Sequence, residues 1–152
     1  MIELDEIDFG LLKAVSEDAT RPASVLGRMF GLSQPAAWRR LQRLEKAGII
    51  TGRRIDLDSE KLGFGVTVFL GIKLATKGRV SLDDFERAVS AIPEVQTVSH
   101  VLGLYDYRLR VVARDLSDFE RVLRRRIMTL PGVGNVEANV LLSEERRPGP
   151  LG

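Results

Sequence analysis

The chain has 152 residues, no cysteine and a single histidine, with 23 Lys and Arg against 21 Asp and Glu for a formal charge of +2. This excludes a disulfide framework, a thiolate metal centre, a cysteine nucleophile and any site that needs two imidazoles. Hydrophobic (44%) and charged (29%) fractions are ordinary for a globular protein and exclude a disordered or low-complexity chain. No apolar run reaches the roughly 18 residues of a membrane span. The acidic start, MIELDEIDFG, lacks the basic opening of a secretory signal. A cytoplasmic protein with no membrane, metal or cofactor is therefore expected.

The first stretch reads as three helices. Ile7, Leu11 and Val15 recur at helical spacing over 5–18, with Asp5 as N-cap. Pro22 stands at the favoured first position of a short helix over 22–30, and Gly31 ends it by turning left-handed. Ser33 caps a third helix from Gln34 to about Ala47, closed by Gly48. The last two helices, joined by Phe30-Gly31-Leu32-Ser33, have the helix-turn-helix pattern. Residues 49–63 read as an extended arm. Ile49 and Ile50 pack back on the helices, and Arg54-Ile55-Asp56-Leu57 alternates as a strand does.

From Val66 the pattern changes. Val66–Leu74 is a strand. Ser81–Ile92 is a helix with Ser81 and Asp84 as a capping box and Leu82, Phe85, Val89 and Ile92 as its apolar stripe. Val95–Val101 and Tyr107–Val112 are strands around the turn Gly103–Asp106. Ser117–Leu130 is a helix capped by Ser117 and Glu120, and Val136–Leu142 is the last strand. The order β-α-β-β-α-β is the ferredoxin-like signature. The chain is thus of the α+β class: an N-terminal winged helix-turn-helix domain (1–50), an extended linker arm (51–65), a C-terminal ferredoxin-like βαββαβ domain with an antiparallel sheet (66–143), and a tail (144–152).

The third helix carries the chemistry. Ala37, Leu41, Leu44 and Gly48 fall on one line and define its packing face. The opposite face carries Pro35, Arg39, Gln42, Arg43 and Lys46, with Trp38 and Arg40 on the flanks. Such a helix fits the major groove of double-stranded DNA, where Arg and Gln bond base edges and Lys and Arg hold phosphates. Arg39 and Gln42 are expected at base edges, and Arg43 and Lys46 at phosphates. Ser33 and Gln34 open the helix, whose unsatisfied N–H groups offer a phosphate site. A basic helix face is often merely solvated. Here it belongs to the second helix of a turn-linked pair, and the one tryptophan stands outside the packing line, which points to contact with nucleic acid.

The segments LDEIDFGLLKAV, FGLSQPAAWRRLQRLEKAGII, VLGLYDYRLRV and LPGVGNVEANVLLSEE, in this order and spacing, resemble the Lrp/AsnC family of bacterial and archaeal transcription factors. The resemblance covers nearly all of residues 4–145. It implies a sequence-specific regulator of transcription, not an enzyme, that binds double-stranded DNA and responds to an amino-acid effector. It implies a homodimer formed through the sheet of the second domain, assembling further to a tetramer or octamer. The effector would bind beside the hairpin turn, where Gly103, Tyr105 and Asp106 match the family. Leu104 and Ala138 complete that site and depart from the family, which often has a polar residue at the first and a hydroxyl at the second. Those departures favour an effector with an apolar side chain.

Two alternatives share the plan. One is an architectural DNA binder without an effector. The other is an enzyme resembling the sirohaem decarboxylases, whose reading helix is degenerate and whose site contains histidine; the basic helix and the single histidine here argue against it. His100 and Arg126 remain to be placed. His100 is expected to be structural. Arg126 falls on the line of Phe119, Leu123 and Leu130, so it either snorkels at the helix edge or meets an acid across a subunit interface.

Overall fold

The computed structural model describes residues 2–75, 78–147 and 149–151. They form two compact units: Met1–Asp56 with Glu145–Gly152, and Leu57–Glu144. Among the described residues no helix is long and apolar enough to cross a membrane.

The first unit holds α1 (Glu6–Glu17), α2 (Ala23–Phe30) and α3 (Gln34–Lys46). Asp5 caps α1 reciprocally with Asp8: the Asp8 N–H donates to the Asp5 carboxylate at 2.8 Å, and the Asp5 N–H to Asp8 at 3.1 Å. Pro22 is the N-cap of α2, one position earlier than expected, and Gly31 ends that helix at φ +67°. The Ser33 hydroxyl accepts the Ala36 N–H at 3.2 Å and starts α3. Leu11, Ala14, Leu26 and Leu41 form the buried core, and Ala37 and Leu44 are buried as well. Ile50 packs against this core, whereas Ile49 is exposed.

The arm differs from expectation. Arg54–Leu57 is not a strand, and Ile55 and Leu57 are both exposed. A strand needs a ladder of backbone partners, and the sheet of this chain begins only at Val66. The alternation is present, but no neighbouring strand supplies the wing.

The second unit runs β1 (Val66–Leu74), α4 (Arg79–Val89), β2 (Val95–His100), β3 (Tyr107–Ala113), α5 (Leu116–Val122), a π-helical turn (Leu123–Ile127) and β4 (Val133–Val140). The sheet order is β2-β3-β1-β4, with every pair antiparallel. This is the ferredoxin-like arrangement. Val68, Leu70, Ile72, Leu74, Leu109 and Val111 bury one face of the sheet with Phe85 and Val89 of α4 and Phe119, Val122 and Ile127 of α5 and its extension.

Three details differ from the sequence expectation. α4 begins at Arg79 behind Gly78, so Ser81 lies inside the helix and makes no cap. α5 is capped by Asp115, whose carboxylate accepts the Asp118 N–H at 2.7 Å, and not by Ser117. The strand expected at Val136–Leu142 is Val133–Val140. The π turn resolves Arg126. Its wider winding, closed by the Met128 N–H on the Leu123 carbonyl at 2.8 Å, shifts the helix phase by one residue. Ile127 stays inward, as its spacing suggests, and Arg126 turns outward, 3.9 Å from Glu94 of the same chain. His100 stacks on the Tyr107 ring at 4.7 Å. The Tyr107 hydroxyl donates to Glu86 at 2.5 Å. Burial first and the Glu86 carboxylate second push that phenol well above its usual range.

Candidate nucleic-acid interface and effector turn

α3 presents its expected face. Ser33, Gln34, Pro35, Trp38, Arg39, Gln42 and Lys46 are all exposed, Trp38 by 55%. Among the described residues Arg39 and Lys46 have no ion pair. Glu45, the acid of this stretch, is held by Arg53 at 2.5 Å, which leaves the outer face net positive.

Arg43 and Arg40 are placed differently. The Arg43 guanidinium donates to Asp8 at 2.5 Å and to the Glu3 carbonyl at 3.2 Å. Arg40 donates to both Asp5 oxygens at 2.8 and 2.9 Å and to Asp8 at 3.0 Å. Arg43, expected at a phosphate, is therefore committed to α1. The Asp8 side chain is 1% exposed. Burial pushes its carboxyl up, but Arg43, the Asp5 N–H and Arg40 together outweigh this and hold it below the usual carboxylate range. Arg40 does the same for Asp5. The available signal was charge complementarity: acids three apart on the first helix, arginines three apart on the third.

The turn before β3 is tied at both ends. The Asp106 N–H donates to the Ile72 carbonyl and the Val101 N–H to the Asp106 carbonyl, at 2.8 and 2.9 Å. The Asp106 carboxylate accepts the Leu74 N–H at 2.8 Å. Gly103 and Leu104 are exposed at the tip, beside a fully exposed Leu102. The Tyr105 ring lies on Gly71 of β1, under the Arg108 guanidinium at 5.0 Å, with the Glu137 carboxylate near its hydroxyl. The Glu137 carboxylate first and burial second raise the phenol above its ordinary value. Ala138 is not brought to this group. It pairs with Leu70, whose side chain faces the helices, whereas Glu137 pairs with Gly71 on the opposite face. Glu137 is thus a residue of the turn's surroundings that the sequence reading missed.

A family model for the AsnC-type helix-turn-helix domain matches residues 4–45, and one for the Lrp/AsnC ligand binding domain matches residues 67–151. The chain belongs to the Lrp/AsnC family. Its relatives are regulators of transcription. A proline dehydrogenase transcriptional activator of Rhizobium radiobacter is 34% identical over 97% of this chain and 94% of its own length. The DNA-binding transcriptional activator DecR of Escherichia coli K12 is 32% identical over 93% of each. Among solved Lrp/AsnC structures, E. coli AsnC superposes with a TM-score of 0.86 at 26% identity, covering 99% of this chain and 100% of that one. A Neisseria meningitidis regulator in complex with L-methionine gives 0.89 at 25% identity, covering 97% and 95%. For an Lrp/AsnC protein, α1–α3 are thus the DNA-binding helix-turn-helix, and the β1–β4 unit is the ligand-binding domain.

Proposed function

We propose that this protein is a sequence-specific, cytoplasmic regulator whose DNA binding or assembly responds to an amino acid, and that it works as a homodimer assembling to a tetramer or octamer. The observation that carries the DNA half is the outer face of α3. Arg39 and Gln42 sit mid-helix for base edges. Lys46 follows one turn after Gln42 for a phosphate, and Trp38 flanks them. The N-terminal turn at Ser33, Gln34 and Pro35 faces solvent; Pro35 has no N–H and the Ala36 N–H is taken by Ser33, which leaves the Gln34 N–H for a phosphate.

The effector half rests on the turn. Exposed backbone at Gly103 and Leu104, the Tyr105 hydroxyl and the Asp106 carboxylate supply acceptors for an α-ammonium group. That a regulator superposing on this chain was solved in complex with L-methionine, an apolar amino acid, supports this reading. The exposed apolar tip at Leu102 and Leu104 is the kind of surface a partner subunit covers. One observation favours the architectural alternative: Asp106 already serves the turn through the Leu74 N–H.

Selection of a preferred duplex from a random pool, followed by titration of wild type and Arg39→Ala, tests the DNA assignment. Arg39→Ala is expected to lose about 1–3 kcal/mol on the preferred duplex and little on random sequence. Equal losses on both would remove Arg39 from base reading. A melting screen with amino acids tests the effector half, since a ligand that binds only the folded state raises the melting temperature.

A further inference from the structure

The four side chains that join α1 to α3 have a use beyond holding two helices together. Asp8 is buried, yet its carboxylate is fully engaged by the Asp5 N–H, Arg40 and Arg43. A buried ion pair contributes little net stability, because desolvating the charges consumes most of the attraction, and an apolar residue of similar size packs as well. What such a group adds is direction. Ala37, Leu41 and Leu44 tolerate a small rotation of α3, because apolar contact is non-directional. The two charge-assisted hydrogen bonds by which Arg40 and Arg43 of α3 hold one carboxylate, itself fixed by the Asp5 N–H, do not tolerate it.

The placement on α3 matters equally. Arg43 lies one helical turn from both Arg39 and Lys46, so their side chains are surface neighbours. Released from α1, Arg43 would reach the same phosphates. Two carboxylates at Asp5 and Asp8 neutralise the two guanidiniums of Arg40 and Arg43. The charge α3 carries to a duplex is then that of Arg39 and Lys46.

We propose that Asp8, assisted by Asp5, is a positioning residue for DNA recognition: it fixes the rotation of α3 and withholds Arg40 and Arg43 from the phosphates. Phosphate contacts add affinity for any sequence, whereas base-edge contacts discriminate. Withholding two cations lowers binding to random DNA and leaves a larger share of the affinity to Arg39 and Gln42. This rests on the outer face of α3 meeting the duplex.

The test uses the full-length protein, a random-sequence duplex and the duplex selected from a random pool. Affinity is measured against salt concentration, and folding of each variant is checked by circular dichroism. Each phosphate contact contributes about 0.9 to the slope of log affinity against log salt. Lys46→Ala is expected to flatten the slope by about that amount. Arg43→Gln is expected to leave the random-duplex slope at its wild-type value. Asp8→Asn is expected to steepen it by about 0.9 for each arginine released, to raise random-duplex affinity severalfold and to lower the ratio of selected to random binding. Flattening by Arg43→Gln to the extent seen for Lys46→Ala would overturn the proposal. So would an unchanged slope and ratio in a folded Asp8→Asn protein. If Asp8→Asn does not fold, Arg43→Gln decides alone. If neither Arg39→Ala nor Lys46→Ala alters duplex binding, the assignment of the α3 face fails and this inference falls with it. Those two variants separate that result from failure of the Asp8 arrangement alone.

Discussion

Asp8 is, among the described residues, the one charged side chain buried to near completeness. Its carboxyl, like that of Asp5, is held below its ordinary value. The stability this contributes is present above the ordinary carboxylate value of about 4. It is lost as pH falls below that and through the lower folded value. Urea midpoints of the wild type are therefore expected to fall steeply as the medium is acidified past this point. Asp8→Asn should start lower at neutral pH and lose less over the same interval. Parallel profiles for the two proteins would remove Asp8 from the acid response. Gly71 is the second residue where a single atom decides. A Cβ there would sit 2.8 Å from Cδ2 and 2.9 Å from Cγ of the Tyr105 ring, and ring atoms so near the backbone cannot swing aside as a flexible chain end does. Gly71→Ala should cost about 1–3 kcal/mol in urea unfolding and displace Tyr105 from Glu137, visible as a fall of the tyrosine's titration midpoint towards its ordinary value.

At the scale of elements, two serine-led boxes looked equally good in sequence at Ser81 and Ser117, and neither caps its helix. Asp115 stands two residues ahead of Ser117 and has an acid of its own three residues on. Asp115 caps through the Asp118 N–H, while Asp118 accepts the Arg114 N–H at 3.0 Å. Both signals satisfy the same local rule, and the earlier one is realised. Asp115→Ala is expected to cost about 1 kcal/mol in chemical unfolding, with Ser117→Ala inside about 0.5 kcal/mol of wild type. Equal effects would contradict the cap. The same scale holds the π turn. Strict 3.6-residue periodicity puts both Arg126 and Ile127 on the inward side, and the extra residue of winding turns Arg126 out while Ile127 stays in the core. Ile127→Ala should then destabilise by about 2–5 kcal/mol, as a buried truncation does, while Arg126→Ala should change stability far less. Equilibrium denaturation compares them directly.

For the whole molecule, the unit Leu57–Glu144 has its own core and a sheet face away from the helices. That face carries Phe69 under the Arg110 guanidinium at 5.3 Å, and Arg110 is itself bound to Glu144 at 2.9 Å. A fragment of these residues is expected to sediment as a dimer at micromolar concentration without the helix-turn-helix; a monomer would assign assembly elsewhere. Apolar amino acids such as leucine, phenylalanine or methionine should raise the melting temperature of the intact protein in proportion to the logarithm of their excess over the dissociation constant. Aspartate, serine and glycine should not. The reverse order would refute an apolar site, because polar side chains need partners that Leu104 does not supply.

Much of the architecture was determined by the sequence alone, because its signals act over a few residues. Apolar period, the Ser33 cap and the left-handed Gly31 placed α1, α2 and α3 within a residue or two, and the βαββαβ order followed from alternation and turns. The exposed Arg39, Gln42 and Lys46 were legible for the same reason: the line through Ala37, Leu41 and Leu44 fixes the opposite face of the helix. Tertiary structure decided everything that joins distant positions. Arg43 meets Asp8 across 35 residues, Glu137 reaches Tyr105 from another strand, and Ala138 faces away because register, not spacing, assigns sides. The alternating Arg54–Leu57 stayed irregular since strand formation depends on a neighbour that local pattern does not provide. Periodicity tells which way a side chain points on its own element; only packing tells what stands opposite.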